Sequence, residues 1–303
     1  MIRSTLIGFL AVLLWASLAL FTTLSGAVPP LLLNGFSFAV ATLIGLVYGF
    51  SNAARRQTLK QTLRLPPVVL GAGIAGLFFF HALYFASLRL APPVEANLLN
   101  YLWPLFIVLG SGLVAGRAPG WRQWIGALLG LIGTGLIVMK ESGFQFETAY
   151  LPGYALALGA AFFWTSYSLA ARRFAHVPTL AVTWYCLGTS VLSFILHAAF
   201  ETTVLPQNGL EWSAVLGLGL GPVGIAFFFW DEGMKRGDVS ILGAAAYAAP
   251  LLSTLLLIGF GQAELTLRIA IACLLITFGA ALAASSLFGR DRRTEPAAQT
   301  PVP

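Results

Sequence analysis

The chain has 303 residues, is 58% hydrophobic and only 9% charged, and carries a formal net charge of +6. Soluble domains average about 25% charged residues, so a soluble fold of this length cannot hide so much apolar surface and a polytopic membrane protein is expected. The basic residues lie at the ends of apolar runs, which reads as topogenic charge and not as a surface for nucleic acid.

A hydrocarbon crossing needs about 20 mostly apolar residues. Ten such segments follow one another: roughly Thr5–Leu24, Val28–Phe50, Pro67–Leu88, Val94–Ala115, Trp124–Met139, Leu151–Ala170, Leu180–Ala199, Trp212–Gly233, Val239–Phe260 and Leu265–Leu287. Arg3, the first apolar run and Ser25-Gly26-Ala27 also resemble a cleavable signal peptide. That run is long for a signal, and Trp15 and Ser17 have counterparts in the sixth span, so the first span is expected to be retained. The connections are short and leave no room for a soluble domain. Cys186 and Cys273 lie within apolar runs and call for no disulfide. The tail at 290–303 is polar and Pro-rich and reads as a disordered cytoplasmic segment.

The second half repeats the first. At a shift of 149, Trp15 meets Trp164, Ser17 meets Ser166, and Phe78-Phe79-Phe80 meets Phe227-Phe228-Phe229. At a shift of 146, Tyr101 meets Tyr247, Pro104 meets Pro250, Arg122 meets Arg268 and Gly133 meets Gly279. The repeat units are 1–139 and 151–289. A unit of five spans must be upside down in its second copy. The expected fold is therefore an all-α membrane protein of ten transmembrane helices arranged as two inverted five-helix repeats. Secondary transporters use this architecture, with the substrate near the midplane. Placing the N-terminus inside puts 14 of the 17 Lys and Arg on the inner side, leaving only Arg89, Lys140 and Arg268 outside. Both termini are expected in the cytoplasm by the positive-inside rule.

Counting at 1.5 Å per residue places Trp15 and Trp164 near the middle of spans one and six, and Pro104 and Pro250 near the middle of spans four and nine. A proline inside a helix removes a backbone hydrogen bond. In lipid this is tolerated where protein or cavity water satisfies the freed group. The two prolines at equivalent positions are candidate hinges; ordinary kinking for packing is the competing reading. Aromatic groups collect at the same level: His81 and Tyr84 in span three, Tyr101 and Trp103 in span four, Trp164 and Tyr167 in span six, Tyr247 in span nine. Interfacial belts account for Trp121, Trp124 and Trp212, but not for rings at this depth.

No Asp, Glu, Lys or Arg lies at the middle of any span. A cation exporter with a central carboxylate, and a phosphate-ester carrier with a central cation, are both disfavoured. A neutral or zwitterionic substrate remains, with Asn100 as a polar contact. His81 could hold substrate, couple protons, or simply fill a polar position between helices. No metal cluster or cofactor motif is present in the sequence. Asp231 and Glu232, beside Lys235 and Arg236, read as local ion pairing or gating at the inner end of span eight. Gly126, Gly130, Gly133 and Gly135 read as close packing of span five, with a homodimer contact possible.

These features together — a duplicated five-span unit, a Trp in the first span of each unit, a Pro in the fourth — resemble the drug/metabolite transporter superfamily with paired EamA repeats. The stretch FFFHALYFASLRLAPPVEANLLNYLWPLF, Phe78–Phe106, is similar in particular to the YddG-type aromatic amino-acid exporters. The resemblance implies export of aromatic and other large neutral amino acids across a bacterial inner membrane. It also implies a central cavity lined by spans one, three, four, six, eight and nine, with rocking between two open states. The expected lining is Trp15, His81, Tyr84, Asn100, Tyr101, Trp103, Trp164, Tyr167 and Tyr247, with Pro104 and Pro250 as hinges and no catalytic residue. Export of other apolar metabolites or drugs is the alternative; an intramembrane enzyme would want an acid pair, a metal cluster or a nucleophile–base pair that the spans lack.

Overall fold

A computed structural model describes residues 2–103, 105–106, 109–110, 120–138, 148–171, 176–236 and 248–291. Its regular elements among these residues are helical. Span one is α1 (Ile2–Ala16) and α2 (Leu18–Leu24), span two is α3 (Pro30–Phe50), and α4 (Ala53–Thr62) follows it. Span three is α5 (Pro67–Leu90), and span four opens with α6 (Pro93–Asn100). Then come α7 (Trp121–Val138), α8 (Leu151–Ala171), α9 (Val182–Phe200) and α10 (Gly209–Leu220). A π-helical turn, Gly221–Ile225, joins α10 to α11 (Ala226–Arg236), and α12 (Ala249–Gly259) and α13 (Leu267–Asp291) complete the chain. Among the described residues, five helical segments are long and apolar enough to cross a membrane: Ile2–Leu24, Pro30–Phe50, Pro67–Leu90, Thr179–Phe200 and Gly209–Trp230.

Local chemistry sets the helix ends. Prolines open α3, α5 and α6, where the missing N–H costs nothing. The first turn of α3 is capped from another helix: Glu201 accepts hydrogen bonds from the Leu31 and Leu32 amides at 2.9 and 3.2 Å. Asn208 accepts from the Glu211 amide at 3.0 Å and caps α10. The connection after span two was expected to be short, and it folds as α4. The Asn52 side chain caps it, and it lies against the ends of α3 and span seven through buried Leu59 and Thr62. Hydropathy does not reveal this helix, because only one narrow stripe of it is apolar.

Helices pair across the halves: α7 with α13, α3 with α9, α5 with α8, α1 with α11, and α6 with α12. Exchanging the first half for the second maps this set of pairs onto itself. The α7–α13 contact is close because glycines face each other. A Cβ at Gly279 would come within 2.7 Å of the Gly126 carbonyl oxygen, and one at Gly133 within 2.9 Å of Ile276. The glycine stripe of span five is thus occupied within the chain.

Polar contacts gather at the two ends of the bundle. At one end Ser4 donates to Glu232 at 3.0 Å, and Trp184 Nε1 donates to Thr62 Oγ1 at 2.9 Å. At the other, Arg89 donates to Ser25 at 2.7 Å, and buried Glu95 accepts from both Arg268, at 2.8 Å, and the Tyr154 hydroxyl.

Candidate functional site

Between these ends, α1, α2, α5, the stretch around the end of α6, α8, α11 and α12 enclose a cavity of about 40 Å³. The first span supplies Trp15, the third His81 and Tyr84, the fourth Asn100, Tyr101 and Trp103, and the sixth Trp164. All seven were expected from the sequence. Five lining residues that it did not single out are Val12, Leu18, Phe80, Phe227 and Ala249. The Phe triplet was legible as a marker of the repeat, and only the helix rotation shows that Phe80 and Phe227 face inward. Tyr167 stands behind the wall. It touches Trp164 at 5.6 Å between ring centroids and packs over Gly76, where a Cβ would lie 2.2 Å from its ring. Tyr247 and Pro104 lie outside the described residues. Pro250 stands in the first turn of α12, one residue beyond Ala249 on the cavity wall.

Helices break around this cavity. The first span is interrupted at Ser17, whose hydroxyl donates to the Leu14 carbonyl at 2.6 Å. Opposite it, Pro222 cannot donate an amide proton, and the chain takes the π turn, with the Ala226 amide reaching back to the Gly221 carbonyl. The Pro222 carbonyl accepts from Trp15 Nε1 at 3.1 Å, so the two irregular stretches are joined by one bond. Such turns recur at functional sites. In span four α6 ends at Asn100, and Tyr101 and Leu102 form a turn. Thr165 of α8 donates to the Trp103 carbonyl at 3.2 Å. α12 starts at Ala249, the repeat counterpart of Trp103.

Each polar group on the wall has a defined state. His81 is 2% exposed, caged by Phe38, Phe80, Phe85 and Phe227 at 4.7 to 6.3 Å between ring centroids. Its Nδ1 faces the Leu77 carbonyl at 2.9 Å and must donate to it, which directs the remaining capacity of the ring to Nε2. The Tyr84 hydroxyl donates to Asn97 Oδ1 at 2.6 Å, and Asn97 Nδ2 donates to Ser253 Oγ at 2.8 Å, tying spans three, four and nine. Asn100 differs: it is 3% exposed, and its Oδ1 has no hydrogen-bond partner among the described residues. A buried amide oxygen left unpaired costs about 1–3 kcal/mol, which a bound donor would offset. None of the lining residues is charged.

The volume has a consequence. A cavity of about 40 Å³ has room for about three waters, and an aromatic amino acid would have to part the walls. Trp15 lies 5.0 Å from Trp230 and 6.3 Å from Phe227 between ring centroids. Trp164 lies 4.9 Å from Phe80 and 6.4 Å from both Trp103 and Phe227. These contacts fill the centre of the cavity. The offset and edge geometries are those aromatic pairs prefer.

Comparison with known proteins gives a consistent result. The sequence profile of the EamA-like transporter family matches residues 2–139 and again residues 151–285. The chain is 49% identical over 281 residues to the aromatic amino acid exporter YddG of Ancylobacter novellus, covering 92% of this chain and 96% of that protein. It is 26% identical to the aromatic amino acid exporter YddG of Escherichia coli strain K12, covering 84% of this chain and 87% of that one. A solved crystal structure with 48% sequence identity superposes with a TM-score of 0.72 over 94% of this chain and 98% of its own.

Proposed function

The chain belongs to the EamA-like transporter family, and from that premise we propose that it exports aromatic and other large neutral amino acids across a bacterial inner membrane. It is a multi-pass membrane transporter and not an enzyme. The observation that carries the substrate assignment is the central cavity, an uncharged aromatic box in which Asn100 Oδ1 has no partner among the described residues. In this reading the substrate ring replaces ring contacts of Trp164 and Trp15. Its α-ammonium donates to Asn100 Oδ1, with His81 Nε2 as a second acceptor. The carboxylate meets the positive end of the α12 dipole at Ala249, the arrangement that broken helices supply in transporters.

Orientation and mechanism belong to the same proposal. The basic α4 end faces the cytoplasm, and so do both termini. The two five-helix halves, 1–139 and 151–289, are inverted copies that rock about the cavity, and Pro104 and Pro250 mark where spans four and nine flex. The small volume corresponds to a closed stage of that cycle.

The test is flux of labelled phenylalanine in proteoliposomes holding the purified protein, with and without a pH gradient. Saturable flux lost in Trp164→Ala and weakened in Asn100→Leu is expected. A pH-gradient response that disappears in His81→Ala would add proton coupling through that ring. Flux no greater than in empty liposomes, from protein shown to be folded, would overturn the amino-acid assignment.

A further inference from the structure

A second cavity, of about 600 Å³, lies at the α4 end of the bundle and is far larger than the central one. Its inner wall is aromatic and aliphatic, with Tyr48 of α3 and Phe228 and Phe229 of α11, and its rim carries one guanidinium, Arg55, and one carboxylate, Glu232. We propose that this cavity is a loading site that takes the zwitterionic amino acid before it reaches the centre, with Arg55 binding the α-carboxylate and Glu232 facing the α-ammonium. The proposal rests on the substrate class assigned above.

Two observations and one energetic argument support it. First, Arg55 is held ready. Its guanidinium lies 4.2 Å over the Tyr48 ring and donates to Ser51 Oγ at 2.8 Å, and it makes no ion pair among the described residues. An arginine set in a cavity wall with most of its donors open matches a carboxylate in shape and charge. Glu232 is fixed on the facing helix by Ser4, which donates to it at 3.0 Å. Second, the two cavities share a wall. Phe227 lines the central one, and the next two residues, Phe228 and Phe229, line the outer one. Ile7 of α1 lines the outer cavity eight residues before Trp15 of the central one, about 12 Å along a helix. The contact of Trp15 with Trp230 and Phe227 stands at this shared wall.

Third, the two sites divide the cost of desolvation. A zwitterion entering an uncharged aromatic box directly loses hydration of both ends at once, which is costly. A site with an opposite charge for each end and π surfaces for the ring lets the aromatic part leave water first, while the charged groups remain paired. Neutral apolar solutes gain nothing from Arg55, so the site also selects for amino acids over plain hydrophobes.

Calorimetry of the purified full-length protein with phenylalanine tests this, using Trp164→Ala to disable the central site. Wild type is expected to bind, Trp164→Ala to retain weaker binding, and Trp164→Ala combined with Arg55→Gln to lose that remainder by about tenfold or more, the loss of a hydrogen-bonded charge. Arg55→Lys should restore part of it, and phenethylamine, which lacks the carboxylate, should be insensitive to Arg55→Gln. A remainder that ignores Arg55→Gln, or binding absent once Trp164 is removed, would overturn the loading site while leaving the central assignment intact. Equal dependence of phenethylamine and phenylalanine on Arg55 would assign the effect to packing and overturn it as well. Failure of the underlying substrate class shows differently, as absent binding in wild type.

Discussion

The same helix pairing is made twice in this molecule, α5 against α8 and α1 against α11, and the two versions differ. In the first, both helices run unbroken through Pro67–Leu90 and Leu151–Ala171. In the second, span one breaks at Ser17 and span eight bulges at Gly221–Ile225. The serines do not account for the difference. Ser166 is the counterpart of Ser17, and its hydroxyl bonds the Phe162 carbonyl at 2.9 Å within an intact helix. The decisive residues are in the partner helix, where Pro222 and Gly224 stand opposite Gly73 and Ala75 in the repeat alignment. Proline removes the donor that would continue the α register, and glycine allows the tight turn that replaces it. Duplicated halves can thus keep one pairing scheme and still present a tethered tryptophan on one side, Trp15, and an untethered one on the other, Trp164.

The sharpest way to break this contrast is a methyl group at Gly224. Its Cβ would lie 2.1 Å from the Gly219 carbonyl oxygen, which is backbone and cannot swing aside. Gly224→Ala is expected to cost about 3 kcal/mol or more, read as a fall in folded yield and melting temperature in detergent. Gly76→Ala in the regular pair meets the Tyr167 ring at a nearly equal 2.2 Å, but a ring can rotate. It should cost about 1–2 kcal/mol, and an equal loss at both sites would remove the argument that the π turn is the tighter element.

Pro222→Ala returns an amide donor to span eight and makes it resemble span three. The turn is expected to revert toward α register, the Trp15 bond to be lost and phenylalanine flux to fall about tenfold, with thermal stability held or raised. Unchanged flux would mean that the bulge has no part in transport. A smaller effect separates the tryptophans. Trp15→Phe keeps a ring and loses one hydrogen bond, worth about 1 kcal/mol or about fivefold in flux. The Trp164 indole makes no hydrogen bond among the described residues, so Trp164→Phe should stay within about twofold. Smallest of all, Ser166→Ala should move the melting point by an equivalent of about 0.5 kcal/mol or less, with Ser17→Ala the larger of the two.

Much of this was legible in the chain because hydropathy and repetition report depth. They placed Trp15, Trp164, His81 and Tyr101 at one level, and the structure brings those four to one cavity. Depth does not report rotation about a helix axis. Tyr167 shares the level of Trp164 but turns behind it onto Gly76, while Phe80 and Phe227, read only as markers of the repeat, turn inward. The π turn escaped notice for a related reason. It depends on which carbonyl each amide reaches, and no apolar pattern encodes that. The amphipathic α4 was hidden because its buried stripe is little more than Leu59 and Thr62.

Spans two and seven are joined along their length. Asn34 donates to Ser193 at 3.0 Å, Ser190 donates to the Gly35 carbonyl at 2.8 Å, and Glu201 caps the first turn of α3. Gly35 and Gly45 let Phe194 and Thr183 sit against the α3 backbone. A seam of buried hydrogen bonds between backbones this close is costly to part, so if the two halves rock as proposed, spans two and seven lie at the pivot, where relative displacement is least. They supply a fixed reference frame: spin labels placed on spans two and seven should hold one distance through the whole transport cycle, and the travel of any other helix can be measured from them.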